Sequence, residues 1–314
     1  MDVLCVGIAV ADVMAKPVDD VPEWDHLSTF GHIEHHIGGC AVNTAVDLVR
    51  LGMRAGVSAR IGNDGAGAFV RSSLVDAGVE IAGLLATPSV ATSYTFVMIG
   101  SDGRRRYLHH VGANAHLSDG DVPLTLVGAA RVLHIGGALL MPAMDGAPTA
   151  RLLAQARELG VTTSMDTAYN PAVDSRALIE PCLPYLDIFV PSVEEAQAIT
   201  GKTEPGLMLD WFAEHEIPLL GVKLGPEGCI IRADGETRHY PAYEVSVTDS
   251  SGAGDAFMAG LLYGRLQGWD VTPTARFANA TAAHCVQAIG CSAGVPDAGQ
   301  VIRFLESGPR LRSA

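Results

Sequence analysis

Positive charge is scarce in this sequence. Lys and Arg number 21 against 35 Asp and Glu, a formal net charge of −14. So acidic a chain has no general attraction for nucleic acid or an anionic membrane, and neither is expected as a partner. Cysteines are few and show no pairing pattern. The 6 (Cys5, Cys40, Cys182, Cys229, Cys285 and Cys291) include no Cys-x-x-Cys, which excludes a zinc ribbon or a disulfide framework. That usage suits reduced, mostly buried thiols in a cytoplasmic protein. No apolar run reaches the ~18 residues of a membrane span, and the start, MDVLCVGIAVADVM, carries no basic leader. Internal repeats, low-complexity tracts and a domain linker are also missing. No Gly-x-x-x-x-Gly-Lys-Ser/Thr run occurs, which excludes a P-loop. Gly7 is followed by Ile-Ala-Val-Ala-Asp and not by a Gly-x-Gly-x-x-Gly turn, which weighs against a dinucleotide-dependent oxidoreductase.

What is there is apolar and ordered. Hydrophobic residues make up 48% of 314 positions, enough to bury roughly three quarters of the extended surface of a chain this long. The Val- and Ile-rich run at 2–13 fits one buried strand. From Gly38 the residues turn small, and an apolar stripe at 45, 48, 49 and 51 predicts a helix closed by Gly52. A strand at 57–61 and a helix at 68–77 follow. Strand-like runs at 93–99 and 104–111 flank Gly100-Ser101-Asp102-Gly103, a hairpin signal. Strands at 131–135, 161–166 and 186–190 then alternate with helices at 146–159, 175–183 and 192–200, before a helix at 206–215 and a strand at 218–222. This alternation predicts a parallel sheet covered by helices on both faces. The Ala-rich stretch after Gly252 is mainly helical. The expected class is α/β, one domain over 1–314, with the patches near 12–36 and 89–111 forming a small β appendage.

The sharpest local feature is Thr248-Asp249-Ser250-Ser251-Gly252-Ala253-Gly254-Asp255-Ala256-Phe257. It follows a strand-like stretch at 243–247 and opens a helix with apolar positions at 257, 258, 261, 262 and 266. Two glycines around an alanine let successive backbone N–H groups point into one concavity, and the helix N-terminus adds partial positive charge. Such a nest suits phosphate or a developing oxyanion. Asp255 sits beside it in the first helical turn, where an acid also complements the helix dipole.

The segment DSSGAGDAF resembles the DTxGAGDxF motif of the ribokinase-like (PfkB) carbohydrate kinase family. Other landmarks of that family stand in the right order: GIAVAD with Asp12, IGGCAVNTA with Gly38, Gly39 and Asn43, GAN at 112–114, PSVEEA, and VKLGPEGC. The likeness spans essentially the whole chain. It implies a three-layer α/β/α ribokinase-like (Rossmann-like) sheet with a β-sheet lid, and an ATP-dependent phosphotransferase acting on a hydroxyl of a small sugar. In that reading Asp255 is the general base and the N–H groups of Gly252, Ala253 and Gly254 form the anion hole. Asp12, Gly38, Gly39, Asn43, Asn114 and Asp166 would contact substrate. Lys223, Gly225, Gly228 and Asn279 would lie on the nucleotide side.

One departure concerns magnesium. Where the family commonly has Asn-x-x-Glu, this chain has Ser192 and Glu195. Glu195 is expected to serve Mg²⁺ directly or through water, and Ser192 with Glu195 also matches a capping box. The resemblance further implies a monovalent cation such as K⁺ near Asp249, Ser251 and the 288–291 loop. Five histidines (His32, His35, His36, His109 and His110) crowd the appendage and read as solvent-facing strand residues rather than metal ligands, with no carboxylate beside them. Strand alternation puts Arg104, Arg106, Leu108 and His110 on one face and Arg105, Tyr107, His109 and Val111 on the other. One face is expected to cover substrate. The apolar side chains Trp24, Phe30, Tyr94, Phe96, Tyr107 and Leu108 point to a homodimer through the lid. Because only the lid arginines offer a cationic pocket, a neutral sugar or nucleoside ranks ahead of a phosphorylated one. A nucleoside kinase of the same family is the near alternative. An oxidoreductase or a non-catalytic sugar-binding regulator are the alternatives of other classes.

Overall fold

The computed structural model describes residues 1–312. The N-terminal apolar run is two strands, not one: β1 (Val3–Gly7) and β2 (Val10–Lys16) belong to different sheets. Then come β3 (His32–Gly38), α1 (Cys40–Arg50), β4 (Ala55–Gly62), α2 (Gly65–Asp76), β5 (Glu80–Thr87), β6 (Ser93–Ile99) and β7 (Arg105–His110). The second half runs α3 (Leu124–Gly128), β8 (Val132–Ala138), α4 (Ala147–Glu158), β9 (Thr162–Thr167), α5 (Ser175–Ile179), β10 (Ile188–Phe189), α6 (Val193–Thr200) and α7 (Pro205–Ala213). It closes with β11 (Leu219–Lys223), β12 (Cys229–Ala233), β13 (Glu236–Tyr240), α8 (Ala253–Leu266), α9 (Val271–Cys285) and α10 (Ala298–Glu306).

The large sheet has 9 strands in the order β13-β12-β11-β10-β9-β8-β1-β4-β5. Side-chain alternation splits its burial between two layers. Val3 and Cys5 of β1 join the core under α1, α2, α8, α9 and α10, with Leu48, Phe257 and Phe277. Leu4 and Val6 join the opposite core under α3 to α7, with Leu153, Phe189 and Phe212. Both faces are dry, as the apolar strands require. β1 lies between β4 and β8, so the chain reverses its direction of growth there. The carboxyl ends of strands beside such a reversal leave a crevice where ligands bind in open α/β sheets.

Three expectations need correcting. The sheet is mixed, because β12 and β13 run antiparallel to β11. The signal was Asp234-Gly235, both at positive φ (51° and 78°), the backbone that a two-residue hairpin turn demands. The helix from 175 stops at Ile179 and continues as a 3₁₀ turn over Glu180–Tyr185, where Pro181 and Pro184 remove backbone donors. The stretch at 243–247 is not a strand. Tyr243 makes one isolated bridge to Leu311 and packs its ring edge-on to Phe304.

The lid is a sheet of 4 strands in the order β3-β2-β6-β7. Its pairings set Asp12 beside His36 and Thr95, and Thr95 beside His109. Tyr107 and Arg105 share that inner face by alternation, while Val13, Phe96 and Leu108 share the outer one. Residues 17–31 between β2 and β3 form no strand and are largely exposed.

Candidate active site

Helix α8 begins at Gly252, whose φ of 75° is left-handed and whose hypothetical Cβ would fall 2.1 Å from the Cys291 carbonyl oxygen. Only glycine fits there. No side chain caps the helix. The Ala253 N–H makes a long 3.3 Å bond back to the Ser250 carbonyl, so the turn keeps its remaining donors and its dipole for the space in front of it. That space is a cleft of about 660 Å³, lined among others by Asp166, Glu195, Lys223, Gly225, Gly228, Asn279 and the residues Gly252 to Asp255. Its size suits a nucleotide-sized ligand.

Asp255 is buried in the first turn of α8, and its Oδ2 accepts a 2.8 Å hydrogen bond from Asn43 Nδ2. Burial pushes its carboxyl above the ordinary range, against the pull of Asn43 and Lys223. Asn43, expected as a substrate contact, thus orients the carboxylate, and its own Oδ1 is buried without a partner. Asp12 is also buried, and its pKa is pushed up to about 6 by desolvation, opposed by Thr95 and His36. Gly38 owes its identity to this neighbour: a Cβ there would sit 2.0 Å from Asp12 Oδ2. Gly39, at φ 98°, clears the Ile8 carbonyl in the same way. Asn114 Oδ1 accepts the Ala9 N–H at 3.1 Å, pinning the link between β1 and β2, and its Nδ2 is buried and unpartnered.

On the other side of the cleft, Lys223 at the end of β11 donates to both carboxylate oxygens of Asp166 at 2.7 Å. Its Nζ lies 3.3 Å from where a Cβ on Gly254 would be, so the ammonium abuts the glycine turn. Burial works against the charge on Lys223, but Asp166, Glu195 and Asp255 outweigh it and hold its pKa up. Burial also raises Asp166 against the pull of Lys223, and the neighbouring carboxylates Glu195 and Asp255 add to the rise. Gly225 and Gly228 bend the turn after β11 at φ 57° and 95°. Asn279 is buried on α9 and donates to the Tyr240 and Pro241 carbonyls at 2.9 and 3.3 Å, which fixes the chain at the cleft wall.

The capping box at α6 is present: Ser192 Oγ accepts the Glu195 N–H, and Glu195 Oε2 accepts the Ser192 N–H at 2.7 Å and the Thr167 hydroxyl at 2.9 Å. Asp249 is fully buried and accepts N–H bonds from Ser251 (2.7 Å) and Gly290 (2.9 Å). Burial alone would raise its pKa, but these donors and the Arg105 guanidinium hold it below the ordinary range.

The sequence profile of pfkB family carbohydrate kinases matches residues 1–298. The chain belongs to that family. A nucleoside kinase from Methanothermobacter thermautotrophicus is 28% identical over 304 residues, covering 96% of this chain and 94% of that protein. A fructokinase from Escherichia coli is 32% identical over 257 residues, 79% of this chain and 81% of its own. In three dimensions the fold matches an Arabidopsis thaliana ribokinase solved with ribose and ATP, at a TM-score of 0.85 and 24% identity, over 97% of this chain and 98% of that one.

As a pfkB kinase the chain is a phosphotransferase, which removes the oxidoreductase and the silent regulator from consideration. The structure gathers Asp255, the glycine turn, Asp166, Lys223 and Glu195 around one cleft. Asn43 joins this group through its bond to Asp255, whereas Asp12 and Asn114 lie outside the cleft lining, toward the lid. Arg105 was missed as a site residue, since alternation gives its face but not its partner. The histidines also need correcting. Glu34 lies between His32 and His36 on β3, and its carboxylate accepts from both rings. His36 faces inward, next to Asp12.

Proposed function

We propose that this chain is an ATP-dependent kinase for one hydroxyl of a small neutral sugar or nucleoside, with Asp255 as the general base. The observation that carries this reading is the Asp255 carboxylate, buried at the N-terminus of α8 beside a glycine turn that opens on the cleft. Asn43 holds one carboxylate oxygen and leaves the other to take the proton of an incoming hydroxyl. A raised pKa strengthens the conjugate base as a proton acceptor. Charge developing on the transferred phosphoryl group would be met by the backbone donors of Gly252, Ala253 and Gly254 and by the Lys223 ammonium. Asp12, with Gly38, Gly39 and Asn114 around it, would hold the other hydroxyls of the substrate. The glycine turn at 225–228 and Asn279 would flank the base of the nucleotide.

Three carboxylates around one ammonium leave a surplus of negative charge, which suits a divalent cation. Mg²⁺ usually keeps several of its waters and is held by one or two carboxylates. Glu195 and Asp166 would hold it, in part through water. When bound, Mg²⁺ neutralises phosphate charge.

Two further parts of the reading are finer. A neutral acceptor is favoured because the substrate side offers Asp12, His36, Thr95 and His109, while the two cations of that lid face, Lys16 and Arg105, are paired with Glu34 and Asp249. A homodimer through the outer lid face is favoured by its exposed apolar side chains. The first test is ATP consumption over a panel of sugars and nucleosides with Mg²⁺. With the acceptor in hand, Asp255→Asn should lower kcat by about 10²–10⁴-fold while leaving ATP binding and Tm near wild type. A variant with near wild-type kcat would remove Asp255 as the base.

A further inference from the structure

A monovalent cation beside the glycine turn does not fit the residues present. The two side-chain oxygens that would face it, Asp249 Oδ1 and Ser251 Oγ, are already taken by a guanidinium. Arg105 Nη1 donates to both, at 2.6 Å to Ser251. Arg105 comes from β7 of the lid, 144 residues from Asp249 in sequence, and only 13% of its side chain is exposed.

We propose that Arg105 is a built-in cation, a positioning residue that replaces a monovalent metal ion and ties the lid to the glycine turn. This rests on the kinase reading above. Asp249 accepts the Ser251 N–H on one oxygen and the Gly290 N–H on the other, so its carboxylate clamps two loops together. One leads into Gly252. The other carries Cys291, whose carbonyl is the surface against which Gly252 is seated. A fully buried carboxylate needs a countercharge to stay ionised, and the only guanidinium bonded to it arrives on the lid. Around this contact the inner lid face presents Met14, Val97 and Ile99 to Ile289, next to Gly290. The glycine turn therefore has its clamp charged when β7 is seated. A solvent-exposed Arg105 would leave the carboxylate unpaired and the turn unsupported.

The experiment compares wild type, Arg105→Ala and Arg105→Lys in KCl and in choline chloride at equal ionic strength. Wild type is expected to show the same kcat and the same Tm in both salts. Arg105→Ala is expected to lose kcat on the order of 10²-fold in choline, as misplacement of catalytic groups does, with a smaller change in ATP affinity. K⁺ should recover much of that loss and raise the Tm of this variant alone, because it can enter the vacated place. Arg105→Lys keeps the charge and should stay insensitive to K⁺. A wild-type enzyme activated or stabilised by K⁺ over choline overturns the proposal. So does an Arg105→Ala enzyme whose kcat and Tm ignore K⁺. The melting arm needs no substrate, so failure to find an acceptor would count against the kinase reading and leave this one decidable.

Discussion

Asp47 is the residue whose chemistry fits its surroundings least. It lies on the inward face of α1, fully buried, and neither carboxylate oxygen has a hydrogen-bond partner. The Ser292 hydroxyl near it is unpartnered as well. Burial drives its pKa well above the ordinary carboxylate value, more than Ser292 and Arg50 can offset, and Asp255 adds to the rise. A raised folded-state pKa means that the folded protein binds this proton more tightly than the unfolded chain does. Stability is therefore lost as pH climbs from the unfolded value, about 4, toward the folded one. Asp47→Asn keeps the shape and removes the titration. It is expected to be more stable than wild type by about 1–3 kcal/mol at neutral pH, and the gain should shrink as pH falls toward 4. Melting curves across that range would show it. A variant less stable than wild type at every pH would mean that Asp47 has a partner in solution. Asp255 and Asp166 are shifted in the same direction, so the cleft also costs the fold stability as pH rises.

At the scale of elements, the parts that could be read from sequence are those with a periodic core face. The stripe along α1, the alternation through β8 to α6 and the opening of α8 stand close to where patterning puts them. Register across strands and partners distant in sequence were not legible. The β12–β13 hairpin lay hidden in an Asp-Gly pair, and β2 left the main sheet because of pairings with β3 and β6 that no local pattern announces. The same limit separates the site residues. The DSSGAGDAF turn is local and could be read, whereas Asn43 on Asp255 spans 212 residues of sequence. Helix α6 shows how one residue can serve an element and a site together. Glu195 spends Oε2 on the cap of α6 and on Thr167, and lines the cleft. Gln supports the same capping box without the charge, so Glu195→Gln separates the two roles. It is expected to keep the Tm of wild type and to raise the Mg²⁺ concentration for half-maximal activity more than the acceptor KM. An unchanged Mg²⁺ titration would confine Glu195 to the cap.

The whole molecule has one apolar face, the outer side of the lid, that its own fold covers only in part. The outer side of the lid places Ile33 and Leu108, 51% and 64% exposed, on the face shared with Val13 and Phe96. Phe30 covers Phe96 edge-on at 6.4 Å but is itself 42% exposed, and Leu27 and Trp24 nearby reach 85% and 92%. A sheet of 4 strands with the margin of an apolar face in water is marginal by itself, and its edge strands β3 and β7 invite pairing. The inner face is tied down by Arg105 and by the contact with Ile289, and on the outer face Ile37, Tyr94 and His35 already pack on the main domain, so what is left for a second copy is the margin around Ile33 and Leu108. Two lids meeting there would bury these side chains and stiffen the sheet that carries Asp12. Light scattering over a dilution series is expected to show a dimer that gives way to monomer on dilution. Leu108→Asp should shift that equilibrium to monomer and raise the acceptor KM, while ATP affinity stays unchanged because the cleft lies on the other sheet. A wild-type protein that is monomeric at every concentration, or a Leu108→Asp dimer as tight as wild type, would send the lid back to its own domain.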